Sequence, residues 1–599
     1  MNTPPSKPKT GAEEINWDLS DLYYSNEDPQ LKIDREEIVK EADIFASKYR
    51  GKIAHLSAYE FNSMLKEYEC IQEKAEKMGS FAYLQWSTNT SNAEYGKLMQ
   101  ASNELSSELI QKLVFLDVEW MQFSDDDAQK LIDAPELSSY KHYLETSRRY
   151  KTHVLKEEQE QILSAKNVTG KFAWARFFDE TLGQAKFELD GQEYTKQEVL
   201  SKLHDGDRNL RIRAHASLTK KFKELAHPLT FVFNTLLADK STNDSLKKYP
   251  SWISSRNLAN ETDDATVDAL ISAVTSHYPL VQRYYKLKTK ILGVQEMFDY
   301  DRYAPMMKNE VTIPWKKAKS MVLESYSEFH PKMGEITKEF FDNNWIDAAI
   351  KPGKRGGAYS ASTVPSVHPY VFMNFDGKIR DVQTLAHELG HGVHQYLSRK
   401  QGLLQARTPL TTAETASVFG EMLVFQNLLK NLTDSKEKLA LLIGKIDDTI
   451  ATVFRQISMN RFEHAMHNAR RYEGELTTAR FSELWMQQQK ALYGNSVTLT
   501  EEYGIWWSYI PHFLHTPGYV YAYAFGELLV LALYEEFTQN PDGFADRYMN
   551  LLRAGGSQWP HELLANMGLD ITDSQFWIKG LASFKKMTDE AEQLINNFT

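Results

Sequence analysis

Two histidines stand four residues apart in the run His387-Glu388-Leu389-Gly390-His391. On a helix that spacing sets both imidazoles on one face, one turn apart, within reach of a single tetrahedral cation. Glu388 is the next residue round, displaced by about 100°. It can therefore address a water activated at the cation without joining the ligand set, which is the logic of a zinc-dependent hydrolase. The competing account is a polar helix face that spells this run by accident. Among 17 histidines the odds of that are roughly a few per cent. The flanking residues weigh against it too. Val382, Leu385, Ala386, Leu389, Val393 and Leu397 are apolar, so the helix is expected to be largely buried. A buried His-Glu-His cluster needs compensation, and a cation supplies it.

A hydrolytic zinc site keeps three protein ligands and one open position. The third ligand is not a histidine of the metzincin pattern, because positions 394 and 397 would have to be Gly and His and are His394 and Leu397. The other solution is a glutamate on a later helix. Glu414, in Thr411-Thr-Ala-Glu414-Thr-Ala-Ser417, fits that solution. It fits equally well as one half of a local capping box with Thr411. Glu421 competes: it lies two helical turns further on, faces the same way, and could be a ligand or an outer partner. His394 shares the face of the histidine pair and is either an outer partner or a packed, satisfied histidine.

These side chains need a helical frame, and the chain promises one. Leu98, Leu105, Leu109, Leu113, Leu116 and Trp120 recur at helical spacing, as do Leu439, Leu442, Ile443, Ile446, Ile450, Val453, Phe454 and Ile457. Thr433, Asp434 and Ser435 are capping candidates for the second run. Strand signals are few. Residues 185–195 alternate around Asp190-Gly191 and read as a hairpin. Tyr370–Phe375, before Asp376-Gly377, reads as a second strand just upstream of the histidine helix. Residues 1–14 have little to bury and are expected to be disordered. The polar stretch His204–Arg208 suggests a boundary between an N-terminal helical lobe, 15–204, and a catalytic domain, 205–599.

Global composition narrows the class. At 599 residues the chain is too long for one core. A net charge of −12 argues against a nucleic-acid partner. The lone Cys70 excludes an internal disulfide framework and sits in a charged helical pattern with no histidine near it. The N-terminus has no apolar core of a signal peptide. The most apolar stretch, Tyr519–Tyr534, is interrupted by Glu527 and is too short to span a membrane. A cytoplasmic location is the expectation.

Several runs taken in order resemble the oligoendopeptidase F family, relatives of thimet oligopeptidase. They are Trp17-Asp-Leu-Ser-Asp-Leu22, Arg355-Gly-Gly-Ala-Tyr-Ser360, His368-Pro-Tyr370, Thr384-Leu-Ala-His-Glu-Leu-Gly-His391, Ala413-Glu-Thr-Ala-Ser417, Phe454-Arg-Gln456 and Phe576-Trp-Ile-Lys-Gly580. The resemblance implies a mainly α, two-lobed helical metallopeptidase with a deep central channel and a small β-sheet near the active site. It implies one Zn2+ per chain on His387, His391 and Glu414, with Glu388 as the catalytic carboxylate. It also implies cleavage of short unstructured peptides at internal bonds. In the family a histidine and tyrosines after the metal site bind substrate and the developing oxyanion. Here that segment reads Tyr509-Ile-Pro-His512-Phe-Leu-His515-Thr-Pro-Gly-Tyr519-Val-Tyr521-Ala-Tyr523. Tyr519 and Tyr523 are the expected phenols. The segment departs from the commoner form in having two histidines, so His512 and His515 both stand as candidates. Without the family, an aromatic core stripe would be the simpler account of the tyrosines. The strand near Val371–Phe375 is expected to align the peptide by β-addition. Two rivals remain: a helical carboxypeptidase acting on chain ends, and a non-catalytic peptide-binding protein. The chain is expected to act as a monomer or a small homo-oligomer, with no membrane partner.

Overall fold

The computed structural model describes residues 9–305 and 312–597. Helices make up 71% of the described residues. Contacts divide it into two compact units. One gathers Met1–Lys151, Glu310–Asn431 and Glu536–Leu569; the other gathers Thr152–Asn309, Leu432–Glu535 and Asp570–Thr599. Each unit is assembled from three separated stretches, so residues 15–204 and 205–599 both contribute to each. His204 lies inside the second unit, in the turn before helix Arg208–Glu224. Residues 1–8 of the expected disordered stretch lie outside the described residues. Residues 9–14 are held in place: Ala12 is buried and the Thr10 carbonyl accepts the Trp315 N–H at 2.8 Å.

The apolar repeat from Leu98 to Trp120 is split between two helices, Ala93–Leu113 and Phe115–Gln122. The repeat from Leu439 to Ile457 runs through helix Ser435–Thr449, a π-helical segment Ile450–Phe454 and helix Arg455–Tyr472. Asp434 caps its start, accepting from the backbone N–H groups of Lys436 and Glu437. The hairpin forms as expected from β1 (Phe187–Leu189) and β2 (Gln192–Tyr194). Asp190 and Gly191, both at positive φ, make the two-residue turn. Among the described residues no helix is long and apolar enough to cross a membrane. Helix Tyr521–Gln539 is buried instead, and its Glu527 pairs with buried Lys445 at 3.2 Å.

In the first unit a three-stranded sheet has the order β3 (Ile346–Asp347), β5 (Tyr370–Phe372), β4 (Tyr359–Ala361). Buried Lys354 ties it together, reaching the Asp347 carboxylate at 2.5 Å and the carbonyls of Ala349 and Met373 at 2.8 and 2.7 Å. Four helices beside the sheet build the site: α1 (Trp315–Phe329), α2 (Pro331–Asp342), α3 (Ile379–Ser398) and α4 (Thr415–Asn431).

Candidate metal centre

The run His387–His391 lies in the middle of α3. Asp381, in the first turn, accepts from the backbone N–H groups of Asp376 and Lys378 at 2.8 and 3.0 Å, which anchors the helix start. Val382, Leu385, Ala386, Leu389 and Val393 are fully buried, as the pattern required. Two glycines let neighbours come unusually close. A Cβ on Gly390 would stand 2.6 Å from Ser417 Cα, so α3 and α4 meet there backbone to backbone. A Cβ on Gly392 would stand 2.6 Å from the Phe340 ring of α2. The Tyr326 hydroxyl, from α1, donates to the Ala386 carbonyl at 2.5 Å and fills the space that Gly420 leaves on α4.

This packing brings Glu414, at the head of α4, over the histidine face. Its Oε2 lies 3.3 Å from His387 Nε2 and 3.4 Å from His391 Nε2. The donor atoms of His387, His391 and Glu414 all lie within 4.8 Å of one another. Tetrahedral zinc with ligand bonds of about 2.0–2.1 Å puts its ligands roughly 3.3–3.4 Å apart. The two nitrogen, one oxygen donor set fits the ion by type and spacing. Glu421 takes the other side, with Oε2 3.5 Å from His387 Nδ1. The two glutamates thus address opposite nitrogens of one imidazole. Ser417, one turn after Glu414, donates to Glu414 Oε2 at 2.7 Å.

The charges are strongly coupled. Burial disfavours charge on His387, but Glu414 and then Glu421 outweigh it and push the imidazole up to about 10. Burial would raise Glu414, yet hydrogen bonds from His387 and His391 reverse this and hold its carboxyl far below the usual range. Without a metal, then, an imidazolium and a carboxylate neutralise each other. Glu388 is buried on the same helix. Burial raises its carboxyl above the ordinary value, opposed by His387 and His391. His394 is buried and pushed down to about 3, chiefly by burial; its Nε2 has no hydrogen-bond partner. It is a neutral histidine inside the helix packing.

A cavity of 510 Å³ opens on these groups, lined by His387, Glu388, His391, Glu414 and residues 358–360 and 362–365. The expectation that Val371–Phe375 offers an alignment edge is not met. β5 is the central strand, buried and paired on both sides. The edge strand is β4. Val371 donates to the Trp345 carbonyl on the β3 side, so the Ser360–Val371 pair is a non-hydrogen-bonded one and Ser360 turns its backbone groups outward. The Ser360 N–H bonds Glu388, and its carbonyl and hydroxyl meet Gln395 of α3 at 3.4 and 2.8 Å. Sequence reasoning gave no role to Ser360 or Gln395; the run ending at Ser360 was the one trace of the first, and Gln395 left none. His368 has a packing task, stacked on Trp345 at 3.7 Å and bonded to Asp21 at 2.9 Å.

The second unit holds the histidine–tyrosine segment. His512 Nε2 lies 3.3 Å from the Tyr523 hydroxyl, and the Tyr519 ring meets the Tyr523 ring edge-on at 5.0 Å. His515 is outside this group: its Nε2 pairs with Asp179 at 3.0 Å. Tyr521 is structural, buried between Asn257 and Asn260 with both bonds at 2.8 Å. The loop before Tyr519 is anchored by the Gly518 N–H, which donates to buried Glu463 at 2.8 Å. Burial pushes that carboxyl up to about 8.

The fold and the His-His-Glu group define a helical metallopeptidase, and the comparisons agree. Residues 201–583 match Peptidase family M3, and residues 119–187 match Oligopeptidase F. Oligopeptidase PepF of Bacillus subtilis is 29% identical, over 99% of this chain and 89% of that protein. Group B oligopeptidase PepB of Streptococcus agalactiae is 26% identical over 97% of each. A crystal structure from Chlamydophila abortus superposes with a TM-score of 0.88 at 25% identity, over 97% of this chain and 98% of that one. Oligoendopeptidase-F from Enterococcus faecium superposes with a TM-score of 0.71 at 23% identity, over 95% and 99%. The chain belongs to peptidase family M3 and is a metalloendopeptidase of the oligoendopeptidase F type.

Proposed function

We propose that the protein is a zinc endopeptidase for short unstructured peptides, with zinc held by His387, His391 and Glu414. The observation that carries this is the donor triangle, with atoms within 4.8 Å of one another and a buried Glu388 beside it. Bound there, zinc would polarise the scissile carbonyl and lower the pKa of a water from about 15.7 to about 7. Glu388 is the base. Its raised carboxyl accepts the proton of the attacking water and returns it to the leaving nitrogen. Glu421 fixes the His387 ring through Nδ1 and so keeps Nε2 aimed at the ligand position. The backbone of 358–363 along the cavity wall guides the extended peptide. Tyr519 and Tyr523, with His512 rather than His515, supply hydrogen bonds to the peptide and its oxyanion; the pairing of His512 with Tyr523 supports that choice. One Zn2+ serves each chain. A cytoplasmic setting, action as a monomer or small homo-oligomer, and no nucleic-acid partner belong to the same reading, the last supported by the net charge of −12.

The test uses peptides blocked at both ends. Zinc-loaded protein should cut them internally, and Glu388→Gln should keep its zinc while losing several orders of magnitude in turnover. Cleavage only of peptides with a free end would replace this reading with an exopeptidase. Near-normal turnover in zinc-loaded Glu388→Gln would remove the base.

A further inference from the structure

The cavity at the metal centre extends well past the ligand histidines. His387, His391, His394, Gln395 and Ser398 all line it. Counted from His387 they stand four, seven, eight and eleven residues on, which is one face of α3. One wall of the cavity is therefore about three turns of a single helix. The acidic residues of the lining are Glu388 and Glu414, at the metal; its cations are Arg399 and Arg407. Arg399 closes the C-terminal end of α3. At about 1.5 Å per residue it stands roughly 12 Å along the helix from His391, a length that three or four extended peptide residues cover.

The two arginines differ in their partners. Arg407 is neutralised, with Nη2 2.7 Å from Glu76 Oε2. Arg399 is not. It donates through Nη1 to the Val367 carbonyl at 2.9 Å, and its guanidinium lies 3.9 Å from the centre of the Tyr396 ring. That ring is held in turn by its hydroxyl, which bonds Glu339 at 3.0 Å. Among the described residues no carboxylate lies within ion-pair distance of Arg399. The carbonyl and the ring fix the guanidinium in place and leave its charge unanswered. The residue is half-buried, neither sealed in nor fully hydrated.

We propose that Arg399 receives a carboxylate of the bound peptide, three or four residues from the bond that is cut. This rests on the reading that the cavity holds the peptide for hydrolysis at zinc. A guanidinium offers parallel N–H groups that match a carboxylate, and stacking on an aromatic face keeps its plane ready. The carboxylate is the peptide's own C-terminus or an Asp or Glu side chain, and the two are separable. A cation also suits the C-terminal end of a helix for electrostatic reasons alone, so the test needs a readout that a purely structural arginine would not move.

The experiment uses two peptide series on zinc-loaded protein. One has a capped N-terminus and ends in a free acid or its amide, at increasing length. The other is capped at both ends and carries a single Glu, or Gln, moved along the sequence. Mass spectrometry locates the cut, and the readout is the ratio of kcat/KM within each matched pair. One series should show a preference of about tenfold for the carboxylate, the size of one charge-assisted bond, carried mainly by KM and largest three or four residues from the cut. The series that shows it identifies the source. Arg399→Gln should bring the ratio close to one, Arg399→Lys should retain part of it, and Arg407→Gln should leave it in place. No preference in either series, a preference that peaks beside the cut bond, or one that survives Arg399→Gln overturns the proposal. If the Arg399 variants fail to fold, wild type alone decides by fluorescence anisotropy: labelled acid should bind more tightly than amide, or Glu peptide than Gln, and equal affinities in both series overturn the proposal. Failure of the hydrolytic reading looks different, as zinc-loaded wild type that binds the peptides and cuts none.

Discussion

At Gly390 α3 and α4 meet backbone to backbone, and the contact can be probed with one methyl group. In Gly390→Ala the new Cβ would meet Ser417 Cα at 2.6 Å and also collide with the Ala416 carbonyl. An ordinary carbon–carbon contact is about 3.5 Å, so α3 and α4 must separate by roughly 0.9 Å. Alanine in a helix gains about 1 kcal/mol over glycine, while overpacking a close contact costs about 1–3 kcal/mol. Net destabilisation should therefore be modest, about 0–2 kcal/mol. The metal should register the shift more directly. Ligand distances tolerate only about 0.2 Å, and Glu414 moves with α4. Metal affinity should fall by about 10–100-fold, the range seen when the support of a ligand is disturbed. Gly444 provides the control: it lies exposed in helix Ser435–Thr449, with nothing within 4 Å of its would-be Cβ. Gly444→Ala should raise stability by about 0.5–1 kcal/mol and leave metal binding unchanged. The assays are zinc titration against a competing chelator and a urea unfolding midpoint. A folded Gly390→Ala protein with wild-type zinc affinity would refute the idea that this contact sets the position of Glu414.

Glu414→Ala should lose stoichiometric zinc, whereas Glu421→Ala should keep a weaker site, because one faces Nε2 of His387 and the other Nδ1; the reverse outcome in metal analysis would exchange their roles. Tyr519→Phe should lower kcat far more than it raises KM, by about the 2.7–4 kcal/mol that an oxyanion donor contributes; unchanged kinetics would return the phenol to a packing role. Glu463 predicts a pH dependence of stability. Its folded carboxyl sits at about 8 against an ordinary 4.5, so the native state holds a proton that the unfolded state releases. Stability should fall as pH climbs from about 4.5 to about 8 and level off above, by at most about 5 kcal/mol, from 1.36 kcal/mol per unit. Glu463→Gln, which keeps an acceptor for the Gly518 N–H, should flatten this slope in urea midpoints taken across that range, and an unaltered slope would place the titration elsewhere.

Much of the site was legible because it is local. Four-residue spacing on a helix places two imidazoles together whatever surrounds them, and the apolar residues at 382, 385, 386, 389 and 393 announced a buried helix. The hairpin at Asp190-Gly191 was equally local, since positive φ at both turn positions is a property of those residue types. The choice between Glu414 and Glu421 was not local. Glu414 stands just before α4 and Glu421 two turns along it, and only the approach of α4 to α3 at Gly390 determines which carboxylate reaches Nε2. His512 and His515 pose the same problem, three residues apart in one segment: one meets Tyr523 and the other meets Asp179. The edge of the sheet was misjudged for a related reason. Alternation marks Tyr370–Phe372 as a strand but carries no record of how many neighbours it has, and here it has two. Unit boundaries left no mark in composition either, because each unit recruits three distant stretches. Periodicity is written residue by residue along the chain, whereas partnership depends on which backbones can approach, and that is set by small residues and packing far away in sequence.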